Sequence, residues 1–243
     1  MHFKIMKLIH LSDIHLTENG QEIWGVNPLE NFRKAIQKIK ELDAVDAIVV
    51  SGDLSNDGNR WSYKFIDETL ASVGIPAYCC PGNHDNLKEF YHGYEPSFYS
   101  ICEAFELSGW TVLMLNSAVE GMSRGYIDLE KLKRQLRASH GPIAIVLHHP
   151  PIEQNGWLNR KLLENRHEFN NLICQAGNVK LVLYGHTHYH MKNKLNGIDY
   201  CSSSSIGFAF HPHLPKFEIA HGMEGFNIIE IHEGTIQIKE IRL

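Results

Sequence analysis

Five segments of the chain carry side chains that commonly bind metal ions, and each of them follows an apolar run. The donors are imidazole, carboxylate and one amide oxygen, a set that suits manganese, iron(II) or zinc better than calcium. Seven donors are too many for one tetrahedral ion, so two ions that share a bridging carboxylate are predicted. The candidate ligands are Asp13, His15, Asp53, Asn83, His148, His186 and His188.

The spacing within these segments has a geometric use. In an extended segment, residues i and i+2 project to the same side, so Asp13 and His15 are predicted to reach one ion, and His186 and His188 a paired site. Two ions about 3.5–4 Å apart can hold both the attacking and the leaving oxygens of an in-line displacement at phosphorus. Three glycines are expected to allow sharp turns and a close approach of the backbone to the ligand: Gly52, Gly82 and Gly185.

The elements that must position these segments are apolar strands buried on both faces. The ends of such strands meet at one edge of an α/β sheet, so the polar residues after them are predicted to converge. The predicted strands are Ile5 to Leu11, Ala47 to Val50, Ala77 to Cys80, Thr111 to Leu115, Ile143 to Leu147 and Lys180 to Leu183.

Helical patterns alternate with the strands, and after residue 191 the chain becomes β-rich with tight turns. The fold class is therefore α/β, and residues 1–243 are predicted to form a single domain with two packed sheets and helices outside. The predicted helices are Pro28 to Leu42 behind the cap Asn27, Trp61 to Ser72, Leu129 to Ala138 behind the cap Asp128, and Arg160 to Gln175. The predicted late strands are Ile198 to Cys201, Phe226 to Ile231 and Thr235 to Ile241, with Glu233-Gly234 as a hairpin turn.

Composition narrows the classes of function. The formal net charge of −5 gives no basic field, which speaks against nucleic acid as a partner. Five irregularly spaced cysteines without a C-x-x-C pair argue against a disulfide framework and a thiolate zinc site. No secretory leader and no span of about 20 apolar residues is evident, so a soluble, cytoplasmic protein without a membrane partner is expected. A homodimer is left open.

The motifs resemble those of the calcineurin-like metallophosphoesterase family. The family pattern D-x-H, G-D, G-N-H-[DE], H and G-H-x-H is matched in full and in order between residues 13 and 188. The resemblance implies a four-layer αββα sandwich with two mixed sheets and a two-metal centre. The ions would be divalent, or Fe(III) with a divalent partner, drawn from manganese, iron and zinc. By the same resemblance Asp13, His15 and His188 hold the first ion, Asn83, His148 and His186 hold the second, and Asp53 bridges.

Within the family, the chain is similar to the class III cyclic nucleotide phosphodiesterases, the bacterial 3′,5′-cyclic AMP type. The similarity depends on Asp85 in the G-N-H-D block, on L-H-H-P-P-I from Leu147, and on the C-terminal segments from Ser202, His211 and Gly225. It implies hydrolysis of a small phosphodiester, 3′,5′-cyclic AMP above all. A glycerophosphodiester or other small phosphodiester or phosphomonoester hydrolase is the alternative. A nuclease and a non-catalytic scaffold on the same fold are the other hypotheses. The complete ligand set weighs against the scaffold.

A mechanism follows from the resemblance as a hypothesis. A hydroxide held between the metals attacks phosphorus, His84 stabilises or protonates the leaving oxygen, and Asp85 orients or charges His84. Asp85 could instead cap the segment that follows it. Either histidine of the pair His148 and His149 could be the ligand, and the family pattern H-x-P points to His148. Candidate substrate contacts are His149, His211 and His213, for which packing or loop chemistry is the competing explanation.

Overall fold

The computed structural model describes residues 5–243 of the chain. Eleven strands and four α-helices are present in this part of the chain. The strands are β1 (Met6–Leu11), β2 (Ala47–Ser51), β3 (Ala77–Cys80), β4 (Ala104–Leu107), β5 (Trp110–Met114), β6 (Ile143–Leu147), β7 (Val179–Tyr184), β8 (Met191–Leu195), β9 (Ile198–Ser202), β10 (Gly225–His232) and β11 (Thr235–Arg242). The helices are α1 (Pro28–Lys40), α2 (Arg60–Ala71), α3 (Leu129–Ala138) and α4 (Arg166–Ala176).

The strands form two mixed sheets. The first has the order β11-β10-β1-β2-β3, and the second has the order β4-β5-β6-β7-β9-β8. Strands β1, β2 and β3 run parallel, while β10 and β11 are antiparallel to their neighbours. In the second sheet β5, β6, β7 and β9 run parallel between the antiparallel edge strands β4 and β8. The prediction of two mixed sheets is confirmed.

Alternation along the central strands produces four layers. In β1, Leu8 packs between the two sheets with Val146 of β6, whereas Ile9 faces a second apolar cluster that contains Phe32 of α1. The helices α1 and α2 cover the outer face of the first sheet, and α3 and α4 cover the outer face of the second. Because side chains of a strand point alternately to opposite faces, each central strand is buried on both.

Local sequence signals define several element ends. The Asn27 side chain accepts a hydrogen bond from the Glu30 N–H, and Asp128 accepts one from the Lys131 N–H, as expected of N-caps. Glu233 and Gly234 have φ of 49° and 80° between the paired residues of β10 and β11, which confirms the hairpin turn. No helix among residues 5–243 combines the length and apolar character needed to cross a membrane.

Other boundaries differ from the prediction. The helix expected from Arg160 begins only at Arg166, because a short 3₁₀ helix covers Gly156–Arg160 and the Leu163 N–H bonds to the Pro150 carbonyl. The strands β4 and β8 were not predicted. Both are sheet edges with mostly exposed side chains, so neither carries the apolar run that marks a buried strand. The assignment of residues 1–243 to a single domain stays a prediction.

Candidate metal centre

The five segments that follow β1, β2, β3, β6 and β7 meet at one end of the two sheets. The first and second segments are joined by backbone hydrogen bonds, from Asp13 N to Gly52 O at 3.0 Å and from His15 N to Asp53 O at 2.9 Å. Gly185 N donates to His148 O at 3.0 Å, which joins the two segments of the second sheet. The predicted convergence of these segments is therefore present in the structure.

The backbone that presents the ligands is left-handed rather than extended. Asp13, His15, Asp53, His186 and His188 have φ between 50° and 67°. The extended i, i+2 geometry expected for Asp13 and His15 is thus wrong, although the two side chains do reach one place. Each of these residues lies within four positions of the end of β1, β2 or β7. Non-glycine residues in the left-handed region cost about 1–3 kcal/mol each and concentrate at functional sites.

Two glycines permit the close approach of neighbouring segments. A Cβ atom at Gly82 would overlap Asp53 Oδ1, and one at Gly185 would overlap Ser12 Oγ. Neither overlap is tolerable, so these positions need glycine for space. Neither has a positive φ, whereas Gly52 has a φ of 91°, so of the three glycines only Gly52 lies in the left-handed region that favours glycine.

One group of buried side chains consists of Asp13, His15 and His188. The Nε2 atoms of His15 and His188 are 3.2 Å apart, and His188 Nε2 is 3.2 Å from Asp13 Oδ1. His188 Nδ1 lies 2.6 Å from the carbonyl oxygen of Phe208, which can only accept. Nδ1 therefore carries the proton, and in the neutral ring Nε2 presents a lone pair toward the other two ligands.

A second group consists of His148, His149 and His186. His148 Nδ1 donates to Ser51 O at 2.8 Å, and its Nε2 lies 3.2 Å from His186 Nδ1 and 3.1 Å from Asn83 Oδ1. The Nε2 atoms of His149 and His186 are buried and have no hydrogen-bond partner among the described residues. Unpaired buried nitrogens are costly unless a cation or a ligand satisfies them.

Asp53 lies between the two groups. Its Oδ2 is 3.5 Å from His15 Nε2 and 3.3 Å from His148 Nε2, and its Oδ1 accepts from the His84 N–H at 2.8 Å. Lone pairs of several acceptors thus converge from both sides on one carboxylate. Such a set is electrostatically unfavourable without cations. His148 and His188 each hold Nδ1 against a backbone carbonyl, and the tautomer fixed in this way presents Nε2 for metal binding. The residues therefore fit a pair of metal ions.

The pKa values follow the same arrangement. Burial lowers the pKa of His15 to about 3, and burial together with neighbouring histidines holds the pKa of His186 well below its usual range, so both rings are neutral. For Asp53, burial would raise the pKa, but His148 and His84 outweigh it and hold that pKa well below the ordinary value. Burial would lower the pKa of His148, yet Asp53 opposite raises it to about 9. A divalent cation would take the place of that proton, because histidine binds metal in the neutral form.

His84 lies at the solvent side of this cluster. Its side chain is exposed, its ring centroid is 4.8 Å from that of His15, and one of its nitrogens is within 4.8 Å of ligand atoms of His15 and Asp53. Its Nδ1 is 2.9 Å from the carbonyl oxygen of Asn56. A cavity of about 240 Å³, lined by residues 82–87 and 118–121, opens beside it. The imidazole is therefore accessible to a substrate at the cluster.

Asp85 does not have the partners that were expected. Its buried carboxylate accepts from the N–H groups of Leu54, Ser55 and Gly82 and from the Tyr63 hydroxyl. No hydrogen bond joins it to His84 among the described residues, and the cap of the following turn is Asn86, which accepts from the Glu89 N–H. Burial and the charge of Asp53 raise the pKa of Asp85 to about 6, against the lowering effect of the backbone N–H groups. Asp85 thus ties together the loops after β2 and β3.

The remaining candidates lie in different surroundings. His149 is fully buried, and its Nδ1 is 2.9 Å from Ser117 Oγ. His211 is half-buried with its Nε2 3.9 Å from Glu218 Oε1, and His213 is exposed. A contact of these histidines with substrate stays a prediction. His190, two residues after His188, lies outside the two groups and has its Nδ1 2.9 Å from Asn227 Oδ1.

Sequence reasoning missed the support behind the ligands. His10 Nε2 lies 2.8 Å from Ser51 Oγ, which in turn is 2.9 Å from Ser12 Oγ, and the carbonyl of Ser51 holds His148. All of these groups are buried. The only signal was the serine that precedes each of the first two ligand motifs, and a small polar residue at a strand end has many other uses.

The fold and this cluster define a class of protein. The structure resembles that of a dimetal phosphatase from Danio rerio with a TM-score of 0.74 at 12% identity, covering 98% of this chain and 96% of that one. A second structure, TT1561 of Thermus thermophilus, gives a TM-score of 0.64 at 16% identity, with coverage of 98% and 99%. At these identities the likeness concerns the fold, which is that of metallophosphoesterases.

The sequence identifies the family. The calcineurin-like phosphoesterase profile matches residues 6–190, and the chain belongs to that family. A 3′,5′-cyclic-nucleotide phosphodiesterase of Nostoc sp. is 30% identical to this chain, and the alignment covers 95% of this chain and 90% of the Nostoc protein. The 3′,5′-cyclic adenosine monophosphate phosphodiesterase CpdA of Haemophilus influenzae is 28% identical over 98% of this chain and 90% of its own. The predicted family, fold class and enzyme class, a metal-dependent phosphoester hydrolase, are confirmed.

Proposed function

We propose that this protein is a two-metal phosphodiesterase that hydrolyses a 3′,5′-cyclic nucleotide, with cyclic AMP as the first candidate substrate. The observation that carries the proposal is the convergence of lone pairs from two ligand groups on Asp53. The names of the relatives that align over nearly the whole chain support the choice of a cyclic nucleotide.

The ligand assignment is part of the proposal. Asp13, His15 and His188 would hold one ion, and Asn83, His148 and His186 the other. Asp53, with a carboxylate oxygen near a nitrogen of each group, would bridge. His149, whose Nε2 is buried and unpaired beside the second group, is an additional candidate ligand or substrate contact. Imidazole and carboxylate donors favour manganese, iron or zinc.

When bound, two such ions would lower the pKa of a water molecule and neutralise charge on the phosphoryl oxygens. The protein's part is to position the reacting groups. A new P–O bond forms with the oxygen of water, and the bond from phosphorus to the 3′-oxygen breaks, which gives a nucleoside 5′-monophosphate. His84, accessible at the edge of the cluster, would in its doubly protonated form deliver the Nε2 proton to the leaving 3′-oxygen, and the proton lost by the attacking water would pass to solvent. The Asn56 carbonyl holds its Nδ1 and so fixes the ring.

The test uses metal-free protein assayed with and without Mn²⁺, Fe²⁺ or Zn²⁺. Substrates are 3′,5′-cyclic AMP, bis(p-nitrophenyl) phosphate and p-nitrophenyl phosphate. We expect metal-dependent cleavage of the cyclic nucleotide, which Asn83→Ala abolishes and Asn193→Ala, an exposed asparagine of β8, leaves intact. Cleavage of the aryl diester alone would retain a diesterase and exclude cyclic AMP. If no ester is cleaved with any metal, the enzyme proposal is wrong and the scaffold alternative replaces it.

A further inference from the structure

A cluster of aromatic side chains adjoins the candidate metal centre. We call it the aromatic platform, and it consists of Trp24, Trp157, Phe208, Phe210 and Phe217. Its rings are in continuous contact, with centroid distances of 4.9 Å from Trp24 to Phe208, 4.7 Å from Trp24 to Phe217 and 5.2 Å from Phe217 to Phe210. Trp157 completes it at 5.3 Å from Phe210.

The platform begins where the ligand rings end. The Phe208 ring lies 4.7 Å from that of His15 and 4.6 Å from that of His188. Phe210 stacks on His188 with a centroid distance of 4.3 Å and an interplanar angle of 17°. One ring, Phe208, therefore separates Trp24 from a candidate metal ligand. A nucleotide likewise has one sugar between its phosphate and its base.

Exposure divides the platform into a buried floor and an exposed rim. Phe208 and Phe210 are buried, whereas Trp24 is 56% and Phe217 is 41% exposed. The indole of Trp24 thus rests on the buried rings and turns much of its surface to solvent. Large apolar side chains exposed together beside a polar site commonly mark a ligand-binding surface.

The backbone conformation of Trp24 also indicates a functional role. Its φ is 49°, and it lies in a tight turn closed by hydrogen bonds between Ile23 and Val26 at 2.8 and 3.0 Å. A bulky side chain in the left-handed region is a genuine outlier, since glycine or asparagine suits such a turn better. Neither burial nor backbone preference accounts for tryptophan here. Strain of this kind is a reason to look for function.

We propose that the aromatic platform binds the base of the substrate, which stacks on the exposed face of Trp24. This inference rests on the proposed cyclic nucleotide function and names the part of the site that recognises the nucleoside. The flat π-faces suit a nucleobase, and stacking accepts any base because each has a π-face. Lys161 lies 5.2 Å over the Trp157 ring and adds positive charge at the rim, which suits a phosphate-bearing ligand.

The experiment measures binding rather than turnover. Calorimetric titration of the Mn²⁺-loaded protein compares 5′-AMP with ribose 5-phosphate, which has the same phosphate and sugar but lacks the base. We expect the wild type to prefer 5′-AMP by about tenfold. Trp24→Ala should remove the preference without changing the affinity for ribose 5-phosphate. Trp24→Phe, which keeps a ring, should retain most of it. Trp61→Ala, a partly buried tryptophan stacked on Phe65, is the matched control.

The outcomes separate this inference from the function on which it rests. Equal binding of the two ligands by the wild type, or an unchanged preference in Trp24→Ala, overturns the platform even if cyclic AMP is hydrolysed. Absence of cyclic AMP hydrolysis together with a preference that Trp24→Ala abolishes overturns the substrate and retains the nucleotide site. If Trp24→Ala converts a dimer into a monomer in sedimentation and the preference persists, a second copy of the chain covers the platform and the inference is wrong.

Discussion

Asp67 on α2 offers a test of how a buried carboxylate fixes a surface loop. The residue is 1% exposed, and its two oxygens accept five hydrogen bonds from the segment after the Glu89–Gly93 turn. The donors are Ser97 N at 2.8 Å, Ser97 Oγ at 2.7 Å, Phe98 N at 2.9 Å, Tyr99 N at 3.0 Å and Tyr94 OH at 3.1 Å. An asparagine amide has only one acceptor oxygen, so Asp67→Asn leaves at least two of these donors facing an NH₂ group.

The cost can be estimated from these bonds. A buried donor left without a partner costs about 1–3 kcal/mol, so two of them predict a loss of about 3 kcal/mol in the free energy of unfolding. For a chain of this size that loss lowers the melting temperature by roughly 6–12 °C. Urea unfolding followed by circular dichroism at a fixed metal concentration measures it. Asp43→Asn, an exposed aspartate, is the control and should change the free energy of unfolding by less than about 0.5 kcal/mol.

The pH dependence supplies the sharper criterion. Burial would raise the pKa of Asp67, but the hydrogen bonds from Ser97, Tyr99 and Phe98 outweigh it and hold the pKa below its ordinary value. A lowered folded pKa contributes stability that is complete above the unfolded pKa of about 3.9 and lost as the pH falls through the folded pKa. The stability gap between wild type and Asp67→Asn should therefore be constant above about pH 5 and shrink below it. A gap that is absent at pH 7, or one that does not narrow in acid, would refute this reasoning.

Two further predictions concern the site. His84→Ala should lower kcat for cyclic AMP by about 10²–10⁴-fold. It should lower kcat for bis(p-nitrophenyl) phosphate much less, because p-nitrophenolate leaves without a proton. Steady-state assays with His140→Ala as the exposed control check this, and equal losses on both substrates would contradict the acid role. Gly82→Ala should abolish tight Mn²⁺ binding, because its Cβ would overlap Asp53 Oδ1 and displace that carboxylate. Titration of the folded variant with Mn²⁺ measures the affinity, and Gly197→Ala in the β8–β9 turn tests the effect of an alanine elsewhere. Wild-type affinity in Gly82→Ala would disprove the packing argument.

The amino-acid sequence by itself determined the parts of this protein that depend on near neighbours. Apolar runs marked the central strands, Asn27 and Asp128 marked helix starts, and the Glu233-Gly234 pair marked a hairpin. Each of these signals acts over a few residues, so it can be read without knowing the rest of the chain. The types and order of the ligand residues were equally evident, because metal ions and phosphate chemistry demand particular donors.

Only the tertiary structure decided how those donors are held. The left-handed backbone of His15 follows from hydrogen bonds to the loop after β2, and the tautomer of His188 follows from the carbonyl of Phe208, 20 residues away. Two of the four partners of Asp85, the N–H groups of Leu54 and Ser55, lie 31 and 30 residues back along the chain. The aromatic platform joins Trp24 to residues more than 130 positions later. These contacts have no local pattern, because they arise from the packing of the two sheets rather than from the conformation of any one segment.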